Sequence, residues 1–255
     1  VASDGVNYAI IRVSNGTSPI DIEFVNNWSN ARRAGVLRGS YQYFRPGQDP
    51  IEQAAHFVDA LREQGDIGEL PPVIDVETTD DQPPRVVRDA VRAWLAYVEA
   101  ELNVRPMIYS GRYFWGPEVC GGDLSACSEF MAYPLWHPQY GSNTVDPPQH
   151  VEGRGCPNIS DTWPRWTFWQ YSSRGRIQGI RGGQSDVDMN VFNGDYEALL
   201  EFARVSGSGE WSPPPIWAGR PRGQTFPLAA DDPIALCVGE RLEGEIYVDN
   251  EGNQV

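Results

Sequence analysis

The chain has 255 residues, 40% of them hydrophobic and 11% aromatic, which is enough for one large domain or one domain with a small companion and excludes disorder throughout. Its net charge of −15 argues against a nucleic-acid partner, because phosphate binding needs basic patches. No apolar run reaches membrane-spanning length.

Val6 to Val13 reads as a strand. A helix follows from about Asp21 to Ala34, with Ile22, Val25, Trp28 and Ala31 near helical spacing and Gly35 as its stop. Leu37 to Phe44 is a second strand. Asp49-Pro50-Ile51-Glu52 opens the next helix, with Asp as N-cap, Pro at the first position and Glu three residues after the cap. Val73 to Val76 is a third strand, led in by Pro71 and Pro72. Pro84 opens the longest helix, with a stripe of Val87, Val91, Trp94, Leu95, Val98 and Leu102. Pro106 to Ser110 is a fourth strand, and a loop is expected from Gly111 to Cys127. Tyr133 to Trp136 and Trp166 to Tyr171 are expected strands separated by a Pro- and Gly-rich stretch. Ile177 to Ile180 is a candidate hairpin partner. Val187 to Phe192 is the last strand of this part, with Asn193 expected to cap a final helix through about Ala203.

Strands and helices alternate through the first half, which implies parallel βαβ units in an α/β barrel or a doubly wound sheet. The second half is strand-rich, so the barrel is expected to be irregular. Residues 1–205 form this domain. Residues 206–233 read as a Pro/Gly linker, and 234–255 as the start of a small all-β module.

Cys120 and Cys127 bracket a Gly-rich loop and suit a local disulfide in an exported protein. Cys156 and Cys237 can pair with each other, but sequence does not fix that connectivity. The three histidines, His56, His137 and His150, lack metal-ligand spacing, so no catalytic metal and no cofactor are expected.

The chemistry gathers at strand ends, where α/β folds place their functional residues. Side chains alternate along a strand, so Asp75 and Glu77 point to one face while Ile74 and Val76 point into packing. Like charges at that spacing raise one pKa, and partial burial adds to the shift. One protonated acid beside one carboxylate is what glycoside hydrolysis needs. Asp188 ends another strand, and the aromatic and amide set Tyr41, Tyr43, Tyr109, Trp136, Trp169, Gln170 and Tyr171 suits stacking and hydrogen bonding on a sugar polymer. For each aromatic alone, core packing competes with this reading; their shared position at strand ends favours it.

Several stretches carry a resemblance. They are Tyr8-Ala-Ile-Ile-Arg-Val, Ala34-Gly-Val-Leu-Arg-Gly-Ser-Tyr-Gln-Tyr-Phe-Arg-Pro, Asp49-Pro-Ile-Glu-Gln-Ala, Leu70-Pro-Pro-Val-Ile-Asp-Val-Glu, Ile108-Tyr-Ser, Pro134-Leu-Trp, Trp169-Gln-Tyr-Ser-Ser and Val187-Asp-Met-Asn-Val-Phe. In this order the chain resembles the glycoside hydrolase family 25 lysozymes, the Chalaropsis-type muramidases also found in phage endolysins. The resemblance implies a flattened, irregular, TIM-like (β/α) barrel. It implies a peptidoglycan hydrolase, secreted or cell-wall associated, that cleaves between N-acetylmuramic acid and N-acetylglucosamine on the glycan strand. It further implies a monomer or one part of a multi-module protein. Carried over by motif, Glu77 is the general acid, Asp75 orients the N-acetyl group or positions water, and Asp188 is a further carboxylate of the site.

Two departures stand out. The family opens on a strand of the type Asp-Val-Ser-x-x-Gln whose Asp joins the site, whereas this sequence opens at Val1-Ala-Ser-Asp-Gly, matching the segment after it. Asp4 is not the equivalent, so a strand and a carboxylate are expected to be missing from the given sequence, and a silent glycan-binding or structural module on the same barrel is the alternative. Gln42 stands where His is common.

Overall fold

A computed structural model describes residues 5–140, 157–177, 187–206, 221–224 and 246–248. The order of elements is β1 (Tyr8–Asn15), α1 (Phe24–Arg33), β2 (Leu37–Tyr43), α2 (Pro50–Glu63), β3 (Val73–Asp75), α3 (Pro84–Leu102) and β4 (Met107–Tyr109). Then come the single turn α4 (Arg112–Phe114), a π-helical turn (Trp115–Val119), a 3₁₀ segment (Leu124–Ala132), β5 (Leu135–Pro138), β6 (Phe168–Gly175), β7 (Val187–Phe192) and α5 (Tyr196–Ser206). β8 (Pro221–Gln224) and β9 (Ile246–Val248) form a separate antiparallel pair.

β1 to β7 lie in chain order in one sheet. Every neighbouring pair is parallel except β6 and β7. The fold is therefore mixed α/β with a curled sheet. Among the described residues no ladder joins β7 back to β1, so the curled sheet accounts for part of the irregular barrel that was expected and a full barrel is not seen in them. Its curl is visible in side-chain contacts: the Tyr8 ring of β1 meets the Phe168 ring of β6 at 5.1 Å, although four strands lie between them.

Alternation divides the apolar residues between two cores. Ile74, Val76 and Ile108 face outward and join Phe57, Val58, Leu61, Val91, Trp94 and Leu95 from α2 and α3. Phe57 and Trp94 pack with ring centroids 5.4 Å apart. Val73 and Met107 face inward with Phe168, and the apolar stripe of α5, Leu199, Phe202 and Ala203, covers them. These inward residues sit toward the N-terminal ends of the parallel strands, so α5 plugs one end of the curl and leaves the C-terminal end open.

The helix starts follow local chemistry. Asp49 caps α2 by accepting from the Ile51 and Glu52 amides at 2.8 and 3.0 Å. The first helix begins at Phe24 rather than Asp21, because Asp21 is drawn into an ion pair with Arg12. The last helix is capped by Asp195, whose side chain accepts from the Ala198 amide at 2.8 Å, and not by Asn193, which donates to the Trp166 carbonyl. The stretch from Gly111 to Cys127, expected as a loop, holds α4, the π turn and part of the 3₁₀ segment. Cys120 and Cys127 within it are disulfide-bonded. β8 falls inside the expected linker. The Ile177–Ile180 hairpin, a Cys156–Cys237 pairing and most of residues 206–255 lie outside the described residues.

Gln42 is the polar knot between these layers. Its amide nitrogen donates to the Ser14 hydroxyl, the Gly16 carbonyl and the Gln53 carbonyl at 2.9, 3.0 and 3.1 Å. Its oxygen accepts from Trp94 Nε1 at 2.7 Å. Gln42 is fully buried, so nothing else satisfies these partners once it is removed. Gln42→Leu is expected to cost about 2–4 kcal/mol, read as a lowered urea midpoint at unchanged slope.

Candidate active site

The open end of the curl is built from strand ends that share the inward face. Asp75 pairs in register with Tyr43 of β2 on one side and Tyr109 of β4 on the other, and Tyr109 pairs with Trp136 of β5. Past the end of β3 the chain stays pinned to β4. The Val76 amide donates to the Tyr109 carbonyl at 2.9 Å, and Ser110 Oγ donates to the Val76 carbonyl at 2.9 Å. Glu77 thus follows Asp75 on the same face, as alternation requires.

Beneath the carboxylates lies an aromatic floor. The Trp136 ring packs edge-on against Tyr109 at 4.6 Å and Tyr41 at 6.3 Å. Trp136 Nε1 donates to Asn190 Oδ1 at 2.8 Å, which ties the floor to β7. Tyr109 donates its hydroxyl to Gln170 Oε1 at 2.8 Å, and the Tyr140 hydroxyl donates to the same oxygen.

Three acids meet here, and all three hold their protons more tightly than free carboxyls. Asp75 is only 6% exposed, and its Oδ1 has no hydrogen-bond partner among the described residues. Burial pushes its pKa well up, the charge of Glu77 adds to the rise, and the Arg12 cation opposes it. Glu77 reaches solvent, yet crowding by the cleft walls raises its pKa too, against a hydrogen bond from Tyr109 that stabilises the anion. Asp188, exposed on β7, is raised by partial burial, and its charge in turn raises Asp75 and Glu77. Burial and the Asp75 charge push the Tyr41 hydroxyl up to about 12. Tyr43 feels burial first and then the Glu77 charge, both upward.

The structure brings Asp75, Glu77, Asp188, Tyr41, Tyr43, Tyr109, Trp136 and Gln170 to one recess. Trp169 and Tyr171 are the correction. They alternate with Phe168 and Gln170 on β6, so they point to the helix side and are buried in the core that holds Ile74 and Val76. Trp169 packs against Trp166 and Tyr171, and its Nε1 donates to the Gln139 carbonyl at 2.9 Å.

Three further residues belong to the site. Arg12 donates from Nε and Nη2 to Asp21 Oδ2 at 3.0 and 2.7 Å, and its charge reaches Asp75 and Tyr41. Asn190 supports Trp136, and the half-exposed Tyr140 stands over Gln170. Alternation could have found two of them. Arg12 lies two residues after the inward Ile10, and Asn190 two after Asp188.

The family model of the glycosyl hydrolases family 25 matches residues 1–180. A protein of Escherichia coli named YegX is 33% identical over 198 residues, covering 77% of this chain and 63% of that protein. Lysozyme M1 of Streptomyces globisporus is 30% identical over 211 residues, covering 80% of this chain and 65% of that protein. This chain therefore spans just under two thirds of the length of these two relatives. The crystal structure of a bacterial lysozyme from Streptomyces coelicolor superposes with a TM-score of 0.65 at 26% identity, covering 82% of this chain and 90% of that one.

The proton affinity of the site fixes a pH dependence. A carboxyl whose folded-state pKa is raised favours folding while protonated, and that contribution is lost as pH climbs from the unfolded value through the folded one. For Asp75 the loss begins near its ordinary value of 3.8. Asp75→Asn is expected to melt close to the wild type at acid pH and several degrees above it at pH 7, measured by calorimetry at both.

Proposed function

Because this chain belongs to the glycosyl hydrolases of family 25, we propose that it is a muramidase that hydrolyses the β-1,4 bond between N-acetylmuramic acid and N-acetylglucosamine in peptidoglycan. The observation that carries this reading is the pairing of Asp75 and Glu77 on one inward face, both with raised pKa, above an aromatic floor. The relatives support it by name: Lysozyme M1 and the Streptomyces coelicolor enzyme are both called lysozymes.

In this reading Glu77 is the general acid. It is the solvent-facing member of the pair, and desolvation by the cleft walls raises its pKa, so it holds its proton more tightly than a free carboxyl. The proton passes to the glycosidic oxygen as the bond to C1 breaks. Tyr109 has one hydroxyl proton and three polar neighbours, Gln170, Glu77 and Tyr140. While Glu77 is protonated, Tyr109 donates to Gln170; once Glu77 is an anion, Tyr109 turns to it and steadies the charge. Asp75 offers an unpartnered oxygen at the buried end of the recess, suited to accept the amide N–H of an N-acetyl group. Holding that amide aims its carbonyl oxygen at C1, which is the substrate-assisted variant of glycoside hydrolysis. That oxygen bonds to C1 as the glycosidic bond breaks; water then attacks C1, the bond from C1 to the acetamido oxygen breaks, and the proton of the water passes to the Glu77 carboxylate. Tyr41 lines the floor under the sugar, the nearly buried Tyr109 and Trp136 support it from below, and Asp188 closes the β7 side.

A charge of −15 gives no electrostatic attraction to an anionic wall polymer, so the glycan strand is held by shape, stacking and hydrogen bonds. The proposed place of action is extracellular or at the cell wall, where the Cys120–Cys127 disulfide persists. Among the described residues no helix is long and apolar enough to cross a membrane.

Purified peptidoglycan incubated with the chain is expected to clear and to release new muramic-acid reducing ends, identified by mass. Glu77→Gln should fold and lose at least about a thousandfold in turnover, because the amide cannot donate the proton. Retention of most activity by that variant would sink the assignment.

A further inference from the structure

Glu77 lies beyond the last residue of β3, so the sheet ladder alone does not set its reach. The turn that follows it is unusual. Asp80 and Asp81 both have positive φ, 46° and 62°, in succession and without glycine. Such residues cost of order 1–3 kcal/mol each and persist only where the surroundings over-determine them.

The surroundings do so here. Arg45 Nε lies 3.0 and 2.9 Å from the two carboxylate oxygens of Asp80, and Nη2 lies 2.8 Å from Oδ1. The Gly47 amide donates to Asp80 Oδ2 at 3.2 Å, and the Thr78 hydroxyl donates to Oδ1 at 3.2 Å. Gln82 Nε2 donates to the Asp80 carbonyl at 3.2 Å. Position 47 is packed so closely that an added Cβ would sit 3.1 Å from the Asp80 Cβ. Arg45 is itself anchored. The fully buried Gln53 of α2 accepts from the Arg45 amide and donates to its carbonyl, both at 2.9 Å. One residue earlier, the Phe44 amide donates to the Asp75 carbonyl at 2.9 Å.

These contacts form a continuous line from α2, through the loop after β2, to the turn after Glu77. We propose that Arg45 and Asp80 are a positioning pair that holds the Glu77 carboxyl at its working height above the aromatic floor. The proposal rests on the reading of Glu77 as the proton donor. The pair is part-buried, with Arg45 39% and Asp80 14% exposed, and a pair that still meets solvent adds only modestly to global stability. A misplacement of about 1 Å in a reacting group, by contrast, can cost about a hundredfold in rate. The clasp is therefore read in turnover rather than in melting.

The test compares Asp80→Asn, Asp80→Gly and Arg45→Ala with Glu77→Gln on soluble glycan-strand oligomers. Asn and Gly both tolerate positive φ, so these variants relieve rather than add backbone strain. The expected result is a kcat about ten- to a hundredfold lower for Asp80→Gly and Arg45→Ala, with KM within about twofold and Asp80→Asn in between. Guanidinium chloride at a sub-denaturing concentration should recover part of the kcat of Arg45→Ala and none of that of Asp80→Gly. A kcat near wild type in Asp80→Gly beside an inactive Glu77→Gln would overturn the clasp and leave the acid assignment standing. Activity in Glu77→Gln would overturn the reading on which the clasp rests. Loss of kcat in step with melting temperature, without recovery by guanidinium, would make the pair merely structural and overturn the proposal too.

Discussion

The constraint on which this structure depends is the strict alternation of side chains along short parallel strands. Three residues of β3 supply one inward apolar contact, one outward apolar contact and one inward carboxylate. A slip of one residue would send Asp75 into the helix-side core and Ile74 into the cleft. The flanking strands resist such a slip, because Val73, Ile74 and Asp75 each have a fixed partner on both sides. The curl then does the rest. It brings β1 to within ring contact of β6, lets α5 fill the N-terminal end, and leaves the opposite end as a recess lined by whatever the strands end in.

What the strands end in is acidic, and this sets the electrostatic character of the recess. Each acid raises the proton affinity of a neighbour, and burial raises Asp75 most directly. Arg12 is the opposing cation, but Asp21 shares its charge and holds it at the rim. The arrangement lowers the stability of the folded chain near neutrality in exchange for retained protons. The apolar mass on the helix side, with Trp94, Phe57 and Leu61 fully buried, is the reserve that tolerates it.

Much of this was legible in the sequence because the signals are local. Proline at the first turn of two helices, the Asp49 cap and the alternation of Val73 to Glu77 each act within a few residues. What escaped depends on partners far along the chain. Asp21 reads as a helix start until Arg12 claims it from β1. Trp169 and Tyr171 read as sugar platforms because they flank Gln170, but a strand alternates, and only the middle residue of that triplet can share the face of Asp75. Asp195 displaces Asn193 as a cap because Asn193 is spent on the Trp166 carbonyl. The Arg45–Asp80 contact spans 35 residues and leaves no periodic trace in the sequence.

Gln42 has a consequence for acid tolerance. Imidazole, the side chain common at this place in the family, gains a charge between pH 5 and 8 and would then have to be accommodated among buried dipoles. A carboxamide has no proton to gain. The knot that joins the loop after β1 to α2 and α3 is thus electrically silent across the range in which the cleft titrates. Acidification loads protons onto the recess while the four hydrogen bonds of Gln42 carry no titrating group on its own side chain, so this knot holds at a pH that reaches the carboxylates around it.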